Sequence, residues 1–369
     1  MTQQREVRKG HPYFMYDAIQ QQPQAIEEML RNHATRAVEV AAILARRRRL
    51  YLVGIGTSWH AALVAEHWFR RFAARSLEVQ AWHSFEFCAY PPPLSDEDAV
   101  VVVSHRGTKT YSFQALEMAK AWGAYTVSIT STNPGPRIQV ADAVLNTVEQ
   151  ERSAAFTVSY TSALAVLALL AISLGDWTES PDESGPRLRA ELGEVPLKAT
   201  QVLAQQGAVQ RVVRRFQNRG RFICVGWGPN TANAYEVALK IKETSAADSE
   251  GLQVEQILHG PFCSVDQGCL VTLIAPPGPG YERAMNIARA SLEVGAPVWA
   301  LVQEGDSLLS GVATDFLALP PVAELWSPFL YVLPLQLFTY YLAVARGAHP
   351  DLFQQDNANQ AAARRHYEL

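Results

Sequence analysis

The sequence predicts an α/β fold made of two similar halves, each a parallel sheet covered by helices. Two observations carry this expectation. Short apolar runs alternate with longer stretches of helical pattern, the arrangement of parallel strands joined by crossover helices. The pattern then stops and restarts. Gly54-Ile55-Gly56-Thr57 in the first half is matched by Gly226-Trp227-Gly228-Pro229 in the second, and 48 positions separate Gly56 from Ser104 just as they separate Gly228 from Pro276. Equal spacing over one strand–helix–strand–loop unit reads as a duplicated domain.

In chain order, residues 1–35 are expected as a helical arm and 36–175 as the first domain, with strands at 50–54, 77–81, 99–104, 125–130 and 143–148. The basic run Arg46-Arg47-Arg48-Arg49 reads as a helix C-terminus leading into the first strand, where cations are favoured. Residues 154–174 carry no charge and are read as a buried helix rather than a membrane span, and so is the stretch 331–345. Residues 175–196 are rich in Asp, Glu, Pro and Gly, which predicts a linker with a short helix, bounded at 176–200. The second domain, 201–347, restarts with strands at 222–226, 270–275, 297–302 and 314–319, and 348–369 forms a tail.

Bulk composition narrows the function classes. The 369 residues are 48% apolar and 18% charged with a net charge of −4, typical of a globular protein and without the basic surface that nucleic acid requires. The four cysteines show no metal or redox spacing and read as reduced thiols of a cytoplasmic protein. The polar N-terminus is not a signal peptide. No His/Asp/Glu cluster has ligand spacing, so no metal and no cofactor are expected.

The two halves diverge at one informative place. The first reads Ser104-His105-Arg106-Gly107-Thr108-Lys109-Thr110 after its strand, where the second reads Pro276-Pro277-Gly278-Pro279-Gly280. Only the first keeps hydroxyls and cations at a strand-to-helix turn, where backbone N–H groups and a helix N-terminus favour an anion. A phosphate is expected there, held by Ser104, Arg106, Thr108 and Lys109. The turn with Gly56, Thr57 and Ser58 lacks the third glycine of the dinucleotide fingerprint, so it predicts no nicotinamide site; Thr57 and Ser58 are candidates for the same phosphate. In the second half, Glu236, Lys240 and Glu243 recur at i, i+4 and i+7 on one helix face, with His259 sixteen residues further on. A carboxylate and a histidine are what proton transfer beside a sugar carbonyl requires.

Taken together, the motifs resemble the sugar isomerase (SIS) domain superfamily, and within it the isomerase half of the glucosamine-6-phosphate synthases. They are His11-Pro12-Tyr13-Phe14-Met15 with Gln22-Pro23, the Gly54–Ser58 turn, the Ser104 loop, Glu151 with Thr157, the helix ending at Glu243, His259-Gly260-Pro261 and Leu333-Pro334-Leu335-Gln336-Leu337. The resemblance implies two tandem SIS domains, each a parallel five-stranded sheet flanked by helices in a flavodoxin-like three-layer sandwich. It also implies a homodimer with shared active sites. By the same resemblance Glu243 is the base working between C1 and C2, and His259 opens the sugar ring in the neighbour's site. Glu236 and Lys240 orient the reacting groups, and Thr57, Ser104, His105 and Arg106 line the phosphate pocket.

Departures from the family pattern limit the activity expected. No glutaminase half is expected, and no lysine follows Lys242 in the sequence, whereas the synthases it resembles use a lysine near the C-terminus to form a Schiff base. The tail offers only Arg364 and Arg365, which stay protonated. The family's Ser-Gln-Ser-Gly-Glu-Thr reads Ser104-His105-Arg106-Gly107-Thr108-Lys109, and its Ser-Thr-Lys after Glu151 reads Phe156-Thr157-Val158. A sugar-phosphate deaminase, a fructosamine-6-phosphate deglycase or an aldose–ketose isomerase is therefore expected. The alternatives are an ammonia-dependent aminase and a non-catalytic sugar-phosphate sensor.

Overall fold

In the computed structural model, which describes residues 7–73, 77–178 and 185–367, the two halves are two parallel sheets of identical topology. The chain opens with α1 (Phe14–Leu44), then β1 (Arg49–Gly54), α2 (Thr57–Phe72), β2 (Glu78–His83), α3 (Ser84–Ala89), β3 (Asp98–Val103), α4 (Thr110–Ala121), β4 (Tyr125–Thr130), β5 (Ala143–Asn146) and α5 (Val158–Thr178). Three helices follow, α6 (Gly185–Gly193), α7 (Val195–Ala204) and α8 (Gln206–Phe216). The second half is β6 (Arg221–Gly226), α9 (Asn230–Ser245), β7 (Asp248–Gln253), β8 (Cys269–Ala275), α10 (Tyr281–Glu293), β9 (Val298–Gln303), α11 (Leu309–Val312), β10 (Asp315–Leu319) and α12 (Ser327–Ala345), with α13 (Ala358–Ala363) in the tail. The sheet orders are β2-β1-β3-β4-β5 and β10-β9-β8-β6-β7, so β6 to β10 repeat β1 to β5 position for position. Among the described residues all eight strand pairings are parallel.

The helices between the sheets explain why two stretches look like membrane spans. Helix α5 and the segment ending in α12 are long and apolar enough to cross a membrane, yet 94% and 83% of their apolar windows are buried inside the fold. Neither has a polar face because each is packed on all sides. Helices α1, α2, α5, α9 and α12 share one apolar core lying between the two sheets, and two smaller cores cover the outer faces.

Three sequence expectations are corrected here. The arm expected to end at residue 35 is part of a continuous helix, α1, which runs to Leu44. The expected linker is mostly helical: α5 continues past Gly175 to Thr178, and α6 and α7 follow, with 179–184 outside the described residues. Pro196 does not oppose this, because the first turn of a helix tolerates proline. Strand β7, Asp-Ser-Glu-Gly-Leu-Gln, was not expected at all. It is an edge strand carrying Asp248 and Glu250, both paired with Arg221 of β6, and it has no apolar run to announce it.

Strand β7 also sets how close α9 lies to the sheet. A Cβ at Gly251 would sit 2.5 Å from the carbonyl oxygen of Ala234 in α9. Gly251→Ala is expected to destabilise the fold by about 1–3 kcal/mol through overpacking. A lower urea midpoint with unchanged slope would show it, and an unaltered midpoint would refute it.

Candidate active site

The site forms where the C-terminal turns of β1 and β3 meet the charged face of α9. β1 and β3 are neighbours in register, Val53 beside Val102, so their outgoing turns lie side by side. The first turn needs its glycines. Gly56 has φ +58°, and a Cβ on Gly54 would come 2.5 Å from the backbone of Ser58. This tight turn starts α2 at Thr57 and delivers its hydroxyl to α9.

On α9, the predicted face is real and its charges are connected. Lys240 Nζ lies 2.6 Å from Glu243 Oε2, 3.4 Å from Glu236 Oε1 and 2.9 Å from Thr57 Oγ1. Thr57 donates in turn to Glu236 Oε1 at 3.1 Å, and His60 Nδ1 stands 2.6 Å from Glu236 Oε2. Glu236 and Lys240 are buried. A second polar network fixes the helix itself. Asn233 takes a hydrogen bond from Tyr160 of α5 and donates to Asn230 and to the carbonyl of Pro328, while Asn230 donates to Ser327 of α12.

Burial acts differently on each charged group because the partners differ. For Glu236, burial pushes the carboxyl up, but Lys240, His60 and Thr57 outweigh it and hold it below the usual range, so it is ionised. For Lys240, burial favours the neutral amine, but Glu236 and Glu243 outweigh it and the ammonium persists. For Glu243, burial dominates, Lys240 offsets only part of it, and the carboxyl is pushed from 4.5 up to about 7. An ionised anchor, a fixed cation and a carboxyl that titrates near neutrality suit reversible proton transfer.

The loop after β3 has the hallmarks of an anion site. Ser104 and His105 are buried, and Ser104 Oγ and His105 Nδ1 have no hydrogen-bond partner. Buried polar atoms are normally satisfied, so these two are available to a polar ligand or to water. Burial, with Arg106 adding repulsion, pushes the His105 imidazole down to about 3, so it is neutral. Its Nε2 accepts from the Glu151 backbone N–H at 3.1 Å, which leaves Nδ1 to carry the proton as a free donor. Arg106 lies over the Phe156 ring, 4.9 Å from its centroid, and the same ring meets His105 edge-on. Gly107, at φ +63°, bends the loop against Ile138. Thr57, Ser58, His105, Phe156 and Ser159 line one small cavity that joins the two turns.

Other predicted residues fall elsewhere. Thr108 is exposed. The carboxylate of Glu151 accepts from the backbone N–H groups of Thr157 and Ser159 at 2.9 Å and from Thr157 Oγ1 at 3.2 Å, capping the N-terminus of α5. Glu151 and Thr157, which the resemblance implies at the substrate, are thus joined to each other in this cap. His259 is exposed, pairs with Glu255 at 3.1 Å and does not contact Glu243 in its own chain. Glu255 is held in turn by Arg283 at 2.8 Å. The residue that sequence reasoning missed is His60. Its only sequence signal is its i+3 position from Thr57, because the carboxylate it meets is 176 positions away. Among the described residues no His/Cys/Asp/Glu group is placed to hold a metal ion.

Comparison with known proteins agrees with the fold. The SIS domain model matches residues 43–173. The glutamine–fructose-6-phosphate aminotransferase (isomerizing) of Thermococcus kodakarensis is 31% identical over 346 residues, spanning 93% of this chain and 57% of that relative. The chain thus spans a little over half the length of such relatives. The C-terminal domain of glucosamine-fructose-6-phosphate aminotransferase from Francisella tularensis superposes with a TM-score of 0.85 at 19% identity, over 94% of this chain and 99% of that one. Glucosamine-6-phosphate deaminase from Thermotoga maritima superposes with a TM-score of 0.74 at 22% identity, over 92% and 99% of the two chains. This chain carries a SIS domain at residues 43–173 and is homologous over nearly its whole length to a little over half of the glutamine–fructose-6-phosphate aminotransferases.

Proposed function

We propose that this protein binds a sugar 6-phosphate and moves a proton between C1 and C2, releasing the amine when the sugar carries one and the isomer when it does not. One observation carries the reading: a largely buried carboxyl poised at about 7, Glu243, ion-paired to Lys240 beside a loop with unmatched buried polar atoms. In this reading Ser104, His105 and Arg106, with Thr57 and Ser58 nearby, hold the phosphate. Glu243 takes the proton from one carbon and returns it to the next through an enediol or enolamine, whose charge Lys240 stabilises. Glu236 and His60 keep Lys240 in place. The names of the relatives support the substrate class, since one acts on fructose 6-phosphate and another deaminates glucosamine 6-phosphate. Ring opening falls to His259 of a second copy in a homodimer, which accounts for a histidine standing in solvent on a loop anchored by Glu255.

The deciding experiment supplies glucosamine 6-phosphate, fructosamine 6-phosphates and fructose 6-phosphate to the purified protein. Ammonia, free amine or an isomer is expected from at least one of them. Tight binding with none of the three products would replace the enzyme by a sensor.

The base also sets a pH profile. Glu243 must be ionised to accept a proton, so kcat/KM is expected to rise with pH and level off above about 7. An acid limb centred near 4.5, the ordinary value, would contradict the buried setting. Stability runs the other way. The raised carboxyl favours the fold while protonated, and this contribution is lost as pH climbs from 4.5 through about 7.

A further inference from the structure

The second half repeats the crevice of the first but holds something different in it. We propose that the crevice between the turns after β6 and β8 is a second anion site, occupied by the chain's own Glu324 carboxylate, and that Glu324 thereby confines sugar phosphate to the first half. The anion site stands on the duplicated geometry; only its bearing on sugar phosphate rests on the reading above.

Its walls correspond to those of the first crevice. β6 and β8 are neighbours, as β1 and β3 are, so their outgoing turns also lie side by side. The space outside the carboxyl ends of such strands is where open α/β sheets bind ligands. Gly278 follows Pro276 by two residues, as Arg106 follows Ser104. Gly228, at φ +50°, takes the place of Gly56, at φ +58°. Helices α9 and α10 begin here, and neither has a side-chain cap. The N–H groups of their first turns favour a negative charge.

Glu324 lies in the notch between the two turns. A Cβ on Gly278 would come 2.7 Å from its Oε1 and 3.2 Å from its Oε2, and one on Gly228 would come 3.6 Å from Oε1. The Trp227 indole donates to Oε1 at 2.8 Å. That ring crosses the start of α10, where a Cβ on Gly280 would run into it. The first loop carries cations and hydroxyls at this point. In the second, the space that such side chains would need holds Glu324 and Trp227 instead.

The surroundings suit an anion. A cavity of about 470 Å³ opens at the carboxylate, and its walls include His67, Arg71 and Arg283. Glu255 shares the cavity, but Arg283 lies 2.8 Å from its carboxylate and takes up its charge. Burial, the largest influence, raises the Glu324 carboxyl above its ordinary value, against the Trp227 hydrogen bond and the attraction of Arg71. A carboxylate is kept in a desolvated place only where donors and cations offset the cost.

Removing the occupant tests the assignment. Glu324→Ala vacates the notch while the indole N–H and Arg71 remain at the cavity. Inorganic phosphate is the probe, read by equilibrium dialysis and by melting temperature at matched ionic strength in chloride. The alanine variant is expected to bind one more phosphate per chain than wild type. Phosphate is also expected to raise its melting temperature by more than it raises that of wild type. Glu324→Gln, whose amide still fills the notch and accepts from the indole, should gain no site. Adding Arg71→Met to the alanine variant should abolish the gained site. Equal phosphate binding by wild type and the alanine variant would overturn the proposal, and so would an alanine variant that stays unfolded in phosphate. A gained site that Arg71→Met leaves intact would place the phosphate elsewhere and overturn it too. A wild type that binds no phosphate, beside an alanine variant that binds one, would uphold this site and count against the phosphate reading of the first half.

Discussion

Glu243→Gln is expected to lower kcat by about 10²–10⁴-fold, the contribution of a general acid–base group, while leaving sugar-phosphate affinity within a few-fold of wild type. The amide keeps the shape and still accepts a hydrogen bond from Lys240, but it takes up no proton. The phosphate contacts, on a different loop, are untouched. Lys240 keeps Glu236 at 3.4 Å and Thr57 at 2.9 Å, so the melting temperature should change little. Steady-state rates and calorimetric titration with the sugar phosphate separate the two effects. Loss of binding in step with activity would make Glu243 a binding residue, and full activity would remove it from the chemistry.

Lys240→Met is expected to be the most damaging change to the fold. It leaves Glu236 and Glu243 as buried carboxylates without the cation between them. Breaking a buried pair by removing one partner costs about 3–5 kcal/mol. Part of that cost is avoided if Glu243 takes up a proton, so the stability loss should be larger at alkaline pH than at acidic pH. The same change removes what offsets burial at Glu243, so any residual activity should show its acid limb above 7. Adding Glu236→Gln should restore part of the lost stability, because neighbours in one network are not additive. Urea melts at two pH values measure this; equal losses at both would contradict the charge argument.

How much was legible in the sequence follows from where each signal is held. The Glu236–Lys240–Glu243 face could be read because helical spacing alone puts the three together. Strands β1, β3, β6 and β8 could be read because central parallel strands are continuous apolar runs. Strand β7 could not, because an edge strand needs only one partner and uses its charges on Arg221. The supposed linker misled because composition there resembles a loop, although Pro196 sits where a helix accepts it. The cap that Glu151 makes on α5 was not legible, because a buried carboxylate satisfies backbone N–H groups as readily as a ligand. His60 was invisible because its partner belongs to the other half of the chain, and His259 finds no catalytic partner within a single chain.

The duplication gives these details a common cause. Both halves offer glycine turns at the same sheet edge, but the first keeps the polar loop and the second supplies the charged helix α9. Thr57 and His60 of one half meet Glu236 and Lys240 of the other, and the proposed chemistry is placed at that junction.

Transfer of a proton at the sugar's C1–C2 pair by Glu243 is the central claim, and hydrogen exchange reads it most directly. Fructose 6-phosphate incubated with the protein in deuterium oxide should gain deuterium at C1, with a rate that rises through about pH 7 and vanishes in Glu243→Gln. Sugar phosphate that binds but exchanges no hydrogen, or exchange that persists in the glutamine variant, would contradict it.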